Sequence, residues 1–219
     1  YDIDANKIVA CGAVSRGGII KSIAIDKNLR GNGITMQLST ELIKAANELS
    51  YNDLFIYTKP ENRYIFENCG FTMIEQVEEH VVLLENSKDR LNNYGEELRR
   101  EKKEGKIGAI VLNANPFTLG HEYLVKYASE HCDWLHVFLV KEDISYFSFK
   151  DRFKIVQESI KDIKNVILHE GSDYIISRAT FPCYFIKDRK LVNNCFMELD
   201  LKIFRRYIAP ALGVRYRFI

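Results

Sequence analysis

Apolar and polar positions along this chain fall into blocks whose lengths and periods separate strands from helices. Ile107-Gly108-Ala109-Ile110-Val111-Leu112 carries no polar side chain and follows the charged segment Arg99 to Lys106. A short, unbroken apolar run of that kind predicts a buried parallel strand. After Gly120 the period changes. Leu124, Ala128 and Cys132 recur at helical spacing, and Glu122 sits where a helix dipole favours an acid. The exchange repeats downstream, with a strand at Leu135 to Val140, a helix from Ser148 to Ile160 and a strand at Val166 to Leu168. Such alternation implies a parallel sheet with right-handed crossovers and a ligand crevice at the strands' carboxyl ends.

The first half has its own α/β pattern. Strands are predicted at Lys7 to Val14 and Ile20 to Ile25, separated by a turn at Gly17-Gly18. A polar, glycine-bearing loop, Asp26 to Gly33, leads into a helix from Ile34 to Leu49 with Leu38, Leu42, Ile43, Ala46 and Leu49 on one face. Leu54 to Thr58 reads as another buried strand, Asn62 to Asn68 as a short helix ended by Gly70, and Phe71 to Leu84 as one or two strands. Between Asn86 and Lys106 the chain is charge-rich, but Leu91, Tyr94 and Leu98 keep helical spacing, which predicts a docked linking helix. The expected organisation is α/β throughout: an N-terminal domain over residues 1–86, a charged linking helix over 87–106, and a Rossmann-like parallel-sheet domain over 107–219.

Composition narrows the class. With 219 residues and 47% hydrophobic side chains, the chain can bury one large core or two modest ones. Its 31 basic and 30 acidic residues create no global field directed at nucleic acid or membrane. No run is long enough to span a bilayer and no signal-type leader is present. The cysteines (Cys11, Cys69, Cys132, Cys183, Cys195) are odd in number and widely spaced, without a Cys-x-x-Cys pair. That argues against a disulfide framework or zinc site and for a reducing cytoplasm. A start at Tyr1 without methionine and an apolar finish at Arg217-Phe218-Ile219 read as a fragment, incomplete at both ends.

The chemistry concentrates where the strand ending at Leu112 hands over to a helix. In Thr118-Leu119-Gly120-His121 the free backbone N–H groups of the helix start make an anion site, Gly120 lets a phosphate approach, and His121 can donate to it. With its preceding strand and the lead-in Asn113-Ala114-Asn115-Pro116-Phe117, this segment resembles the (His/Thr)-x-Gly-His signature of nucleotidyltransferases. Those enzymes join ATP's α-phosphate to an acceptor and release pyrophosphate. Lys141, at the same sheet edge, either meets a phosphate or carboxylate as a point charge or stays solvated. Arg152, in the first turn of a helix, either reaches substrate or pairs with Asp151 or the neighbours of Glu158. Ser177 to Pro182, including Arg178, is polar between apolar runs and reads as a loop lining the crevice. His169 ends a strand and reads as structural, while His131 and His136 carry no role. Cys183 has no indicated histidine partner and reads as a small core or loop residue.

Arg30-Gly31-Asn32-Gly33-Ile34-Thr35 enters a helix after a strand and resembles the loop of the GNAT acetyltransferase family whose backbone N–H groups hold the pyrophosphate of coenzyme A. Tyr57-Thr58 and Glu61 to Phe71 are similar to that family's ending, a short helix running into Gly-Phe and a final strand. Thr35 departs from the usual glycine or alanine. Glu41 and Glu48 read as exposed helix positions and Tyr64 as a packed residue, so no general base is assigned. Two plainer readings stand beside this one: Gly31 and Gly33 make a turn only, or the fold is kept for docking without acetyl transfer.

A GNAT-like half, then the Asn113 to His121 segment, then Tyr174 to Pro182 and the tail Asp200 to Gly213, resembles the citrate (pro-3S)-lyase ligase family. The resemblance implies an enzyme that uses ATP and acetate to acetylate the thiol arm of citrate lyase's acyl carrier subunit, releasing AMP and pyrophosphate. It implies catalytic roles for His121 and Thr118, and ATP contacts from Asn113, Asn115, Phe117, Thr118, Gly120, His121, Lys141, Arg152 and Arg178. It further implies a dephospho-coenzyme-A-like arm held at Arg30, Gly31 and Gly33. Mg2+ would bridge the leaving pyrophosphate, with no metal site of the protein's own. The family's chain runs on to an Ile-Ser-x-(Ser/Thr) phosphate motif, so the ATP site is expected to be incomplete here. The rival readings are a phosphopantetheine-adenylyltransferase-type enzyme, a GNAT acetyltransferase using acetyl-coenzyme A, and an inactive docking module for a carrier protein.

Overall fold

The computed structural model describes residues 7–141, 146–176, 181, 184–186 and 188–219, and its first apolar blocks form a five-stranded sheet. Strands β1 (Ala10–Ser15) and β2 (Ile19–Ile25) are antiparallel, joined through Gly17 and Gly18 at φ 80° and 75°. At Gly18 a Cβ would lie 2.0 Å from the Asp53 carbonyl oxygen, so the turn admits only glycine. Helix α1 (Ile34–Glu48) follows and buries Leu42 and Ala46, with Leu38 and Ile43 beside them, against Ile20, Ile56, Val82 and Leu84. Next come β3 (Phe55–Thr58), α2 (Arg63–Glu67), β4 (Thr72–Val77) and β5 (Val81–Glu85). The strand order is β1-β2-β3-β5-β4, with β2 and β3 parallel and the other neighbours antiparallel. The stretch Phe71 to Leu84 resolves into two strands. The first strand begins at Ala10 rather than at Lys7, which forms an isolated bridge and pairs with Asp26 at 2.7 Å. Tyr64, expected to pack, is 71% exposed.

One irregularity shapes this sheet. The register steps from Cys11↔Ala24 to Ala13↔Lys21, so Ser22 and Ile23 together stand opposite Gly12, and Ser22 takes φ 57°. An extra residue of this kind bends its strand and increases the local twist. β2 accordingly pairs with β3 only at Ile19↔Phe55 and Ile20↔Ile56, and beyond that point the two strands part.

The second half is built on α3 (Arg90–Arg99), β6 (Ile107–Leu112), α4 (Leu119–Glu130), β7 (Trp134–Leu139), α5 (Phe149–Ile160) and β8 (Val166–Glu170). The chain then forms α6 (Arg189–Ile203), a π-helical turn over Phe204–Ile208, α7 (Ala209–Leu212) and β9 (Tyr216–Arg217). The four strands are parallel in the order β8-β7-β6-β9. On one face Val125, Ala128, Val156 and Ile160 pack on Ile110, Leu112, Leu135, Val137 and Leu139. On the other, Leu98, Phe204, Ile208, Ala211 and Leu212 cover Ala109 and Phe138. The inward face of α4 centres on Val125 and Ala128, while Leu124 and Cys132 sit at its rim. At Gly108 a Cβ would meet the Phe218 ring at 2.8 Å and Cys132 Sγ at 3.1 Å, because β9 brings Phe218 across β6.

The chain divides into two compact units, one of residues 1–90 with 182–195 and one of 91–181 with 196–219. The division therefore differs from the expected succession of 1–86, 87–106 and 107–219. The linking helix is shorter than expected, and from Leu91 it belongs to the second unit, with Leu91 and Leu98 buried. A segment from the second half belongs to the first unit, which strand–helix alternation alone does not predict. Cys11, Cys69, Cys132 and Cys195 are free, and Cys183 lies outside the described residues. Among the described residues, no helix is long and apolar enough to cross a membrane.

His136 and His169 meet across β7 and β8, with Nδ1 of His136 2.7 Å from Nε2 of His169. His136 Nε2 is buried without a hydrogen-bond partner among the described residues. The proton therefore belongs on His136 Nδ1, donated to His169, since an orphan lone pair is cheaper to bury than an orphan N–H. Burial lowers both imidazoles from 6.5 to about 4, helped at His136 by repulsion from His169. The folded state thus resists protonation that the unfolded chain accepts near 6.5. Stability from this pair is fully present above that value and is lost as pH falls toward about 4. Urea midpoints should therefore drop between pH 7 and 5, and a His136→Leu/His169→Phe double variant should show a shallower drop. Parallel pH dependence in the two proteins would refute this assignment.

Candidate active site

Beyond Leu112 the chain leaves β6 through an irregular lead-in. Ala114 is buried with φ 45°, a left-handed conformation unusual for a residue with a Cβ, and the Asn115–Pro116 peptide is cis. Strained backbone of the Ala114 kind persists where surrounding structure over-determines it, commonly at functional sites. The lead-in delivers Thr118 to the N-cap of α4 in extended conformation, φ −111° and ψ 168°.

Thr118 and His121 cap one another. The Thr118 backbone N–H donates to His121 Nδ1 at 3.0 Å, and the Thr118 hydroxyl lies 2.8 Å from the same nitrogen. Because Nδ1 accepts, the neutral imidazole carries its proton on Nε2. Phe117 stacks on the ring at 5.6 Å between centroids and restricts its rotation. The third orphan N–H of the helix is capped by Thr118, which leaves those of Leu119 and Gly120 as donors at the helix start. A Cβ on Gly120 would find only Thr118 Oγ1, at an ordinary 3.7 Å, and no positive φ is required there. Neither backbone conformation nor packing requires glycine at that position.

Arg152 is a buried side chain at this edge. It is 0% exposed, and its Nη1 donates to the carbonyl oxygens of Asn113 at 2.7 Å and Val140 at 3.2 Å. Rising from α5, it ties together the carboxyl ends of β6 and β7. Asn113, Asn115, Thr118 and Gly120 are exposed at this edge, and Lys141 is exposed just past Val140. Arg178 lies outside the described residues.

Asn113 and His121 line a cavity of about 860 Å³ walled by Leu124, Phe196, Met197 and Phe218. Its wall also holds Asp200 and Arg217, which sequence reasoning did not single out. Arg217 Nη2 donates to Asp200 Oδ2 at 2.7 Å, and Arg217 Nη1 is buried without a partner among the described residues. Burial pushes the Asp200 carboxyl above its ordinary range, opposed by the Arg217 guanidinium and the Ile176 N–H. The available signal was an acid beside Cys195, Leu199 and Ile203, which recur at helical spacing and are all buried. Among the described residues no cluster of three or more His, Cys, Asp or Glu could hold a metal ion.

The first unit has its own cavity, of about 520 Å³, in the opening between β2 and β3. Arg30 and Gly31 line it together with Thr35, Thr58 and Asn62. Gly31 and Gly33 take φ 84° and 75°, so the turn itself requires glycine at both positions, and Gly33 is the N-cap of α1. The two sets of residues predicted to bind ligand thus lie in different units, each beside a cavity.

A family model described as the citrate lyase ligase C-terminal domain matches residues 107–219, and one described as an acetyltransferase (GNAT) domain matches residues 3–85. The chain is 52% identical over 214 residues to the citrate (pro-3S)-lyase ligase of Escherichia coli, a match covering 97% of this chain and 60% of that protein. Against the ligase of the same name from Haemophilus influenzae it is 51% identical over 217 residues, covering 99% and 64% respectively. A phosphopantetheine adenylyltransferase from Streptococcus gordonii is 27% identical over 112 residues, covering 49% of this chain and 68% of that protein. The chain spans less than two thirds of the length of the ligases it matches. Its first half is GNAT-like, its second half carries a four-stranded parallel sheet, and with more than half its residues matched by one family model the chain belongs to the citrate lyase ligase C-terminal domain family.

Proposed function

We propose that this chain carries the adenylating site of an ATP-dependent acid–thiol ligase. Acetate is activated and its acetyl group is passed to the thiol of a dephospho-coenzyme-A-like prosthetic group on the acyl carrier subunit of citrate lyase. The observation that carries the reading is the mutual cap of Thr118 and His121, which leaves an Nε2–H donor at a cavity beside a helix start. An acetate oxygen attacks the α-phosphorus of ATP. The bond to the bridging oxygen breaks, and pyrophosphate leaves with that electron pair. The N–H groups of Leu119 and Gly120 hold phosphate oxygens, and His121 donates to the charge growing on the α-phosphate. Magnesium enters as the counter-ion of ATP, part of the substrate. The thiolate then attacks the acetyl carbonyl and AMP departs as the leaving group. Alignment and charge stabilisation are the protein's main contributions. In the first unit, Arg30 and the Gly31–Gly33 turn receive the arm's pyrophosphate. A phosphopantetheine-type adenylyl transfer is the second reading, favoured by the Streptococcus gordonii match. Exchange of labelled pyrophosphate into ATP only when acetate is present supports the first reading, and exchange that needs phosphopantetheine instead supports the second.

Two variants test the site. His121→Ala should raise the adenylation barrier by on the order of 3 kcal/mol, through loss of a preorganised donor. Because His121 also caps α4, it should lower stability by about 1 kcal/mol. Exchange at the parent rate in His121→Ala would remove His121 from the chemistry. Gly120→Ala separates function from folding more cleanly. The methyl group has room and favours the helix by up to about 1 kcal/mol, so the melting temperature should hold or rise. ATP binding and exchange should nevertheless fall sharply, because the methyl occupies the phosphate's approach. Unimpaired exchange in Gly120→Ala would show that no phosphate sits against that residue.

A further inference from the structure

The cavity of the second unit holds a cation whose hydrogen bonding is unfinished. Among the described residues that line it, Arg217 is the only arginine or lysine and Asp200 the only acid, while Leu124, Phe196, Met197 and Phe218 make much of the rest apolar. The guanidinium is held through Nη2, which donates to Asp200 Oδ2 at 2.7 Å, and by the Phe204 ring, whose centroid lies 4.8 Å from Cζ. Asp200 is already committed, since it also accepts from the Ile176 N–H. Arg217 Nη1 is buried and has no partner among the described residues. A buried N–H of a charged group is costly to leave without an acceptor. The one carboxylate in the wall cannot supply it, so the missing acceptor is a ligand's.

We propose that Arg217 is the anchor of the carboxylate that is to be activated, with one oxygen on Nη1 and the other left free to attack phosphorus. The proposal rests on the reading of this cavity as the adenylating site, where His121 faces the α-phosphate. A guanidinium bonded through a single nitrogen keeps donors for a second carboxylate. Held at Nη2 alone, it can pivot about that bond and turn Nη1 toward the cavity. With one cation in an otherwise apolar wall, the cavity has a partner for one carboxylate and room for an alkyl group beside it. The substrate class is therefore a monocarboxylic acid with an apolar tail.

Equilibrium binding of acetate to the purified chain, followed by NMR, tests the anchor without turnover. The parent should bind acetate saturably and acetamide, which has the same shape without the charge, far more weakly. Arg217→Gln should weaken acetate by about tenfold or more, as loss of a charge-assisted bond predicts, and shift ATP by less than about twofold. Arg217→Lys should restore part of the loss, because the charge returns without the fork. Asp200→Asn should bind acetate as well as the parent or better, since it removes the competing anion and keeps the cation. If the ion pair only holds the wall together, both Arg217→Gln and Asp200→Asn weaken acetate alike, and that result would overturn the anchor. So would an absence of saturable acetate binding by the parent, or equal binding of acetate and acetamide. Should Arg217→Gln fail to fold, Arg217→Lys and Asp200→Asn still decide, because the anchor moves them in opposite directions. In pyrophosphate exchange the loss should fall on the KM for acetate rather than on kcat, because the carboxylate gives up its charge as the anhydride forms. Acetate-dependent exchange with an unaltered KM in Arg217→Gln would overturn the anchor and leave the adenylation reading standing. Acetate bound at Arg217 without any exchange would sustain the anchor and count against adenylation.

Discussion

The site in the second unit depends on a buried guanidinium. Arg152 sits with no solvent exposure at the point where β6 and β7 end, and its Nη1 donates to two carbonyl oxygens that a parallel ladder leaves unpaired there. Burying a charge is costly unless strong dipoles meet it. Here the charge supplies what the strand ends need, since Asn113 and Val140 must otherwise expose or orphan their carbonyls. The guanidinium also lies beside the Phe149 ring, 5.6 Å from its centroid, which fixes its plane. With the strand ends held, the lead-in to α4 begins from a fixed Asn113.

From that anchor the chain crosses the left-handed Ala114 and reaches the mutual cap of Thr118 and His121. The cap performs two tasks with one set of bonds. It satisfies helix-start donors, a matter of stability, and it commits the imidazole to one tautomer, a matter of chemistry. The proposed donor therefore needs no separate orienting carboxylate. The backbone of its own helix orients it.

Much of this was legible in the sequence because each signal was local. The apolar run at Ile107 to Leu112 became β6 with those bounds, and the strand–helix handover placed Thr118 at an N-cap. Gly31 and Gly33 fell in the loop that opens α1, as the pattern required. What escaped depends on residues distant in sequence. Arg152 carried a charge and sat in a first turn, so it read as reaching substrate or pairing with Asp151 or the neighbours of Glu158, and only the converging strand ends reveal its burial. Asp200 and Arg217 form one cavity wall because β9 joins the sheet beside β6, and a two-residue strand leaves no periodicity to detect. The return of residues 182–195 to the first unit likewise has no local signature.

The missing side chain at Gly108 links the sheet edge to the cavity. Phe218 lies over that glycine and also forms part of the cavity wall with His121 and Asn113. A methyl group at position 108 would stand 2.8 Å from the Phe218 ring and 3.1 Å from Cys132 Sγ, so the ring would have to yield. Displaced, it would redraw the wall of the cavity several strand residues away from Asn113 and His121. The size of what the cavity admits is thus set in part by an absence: one hydrogen at the amino-terminal end of β6, opposite the edge where the adenylation is proposed.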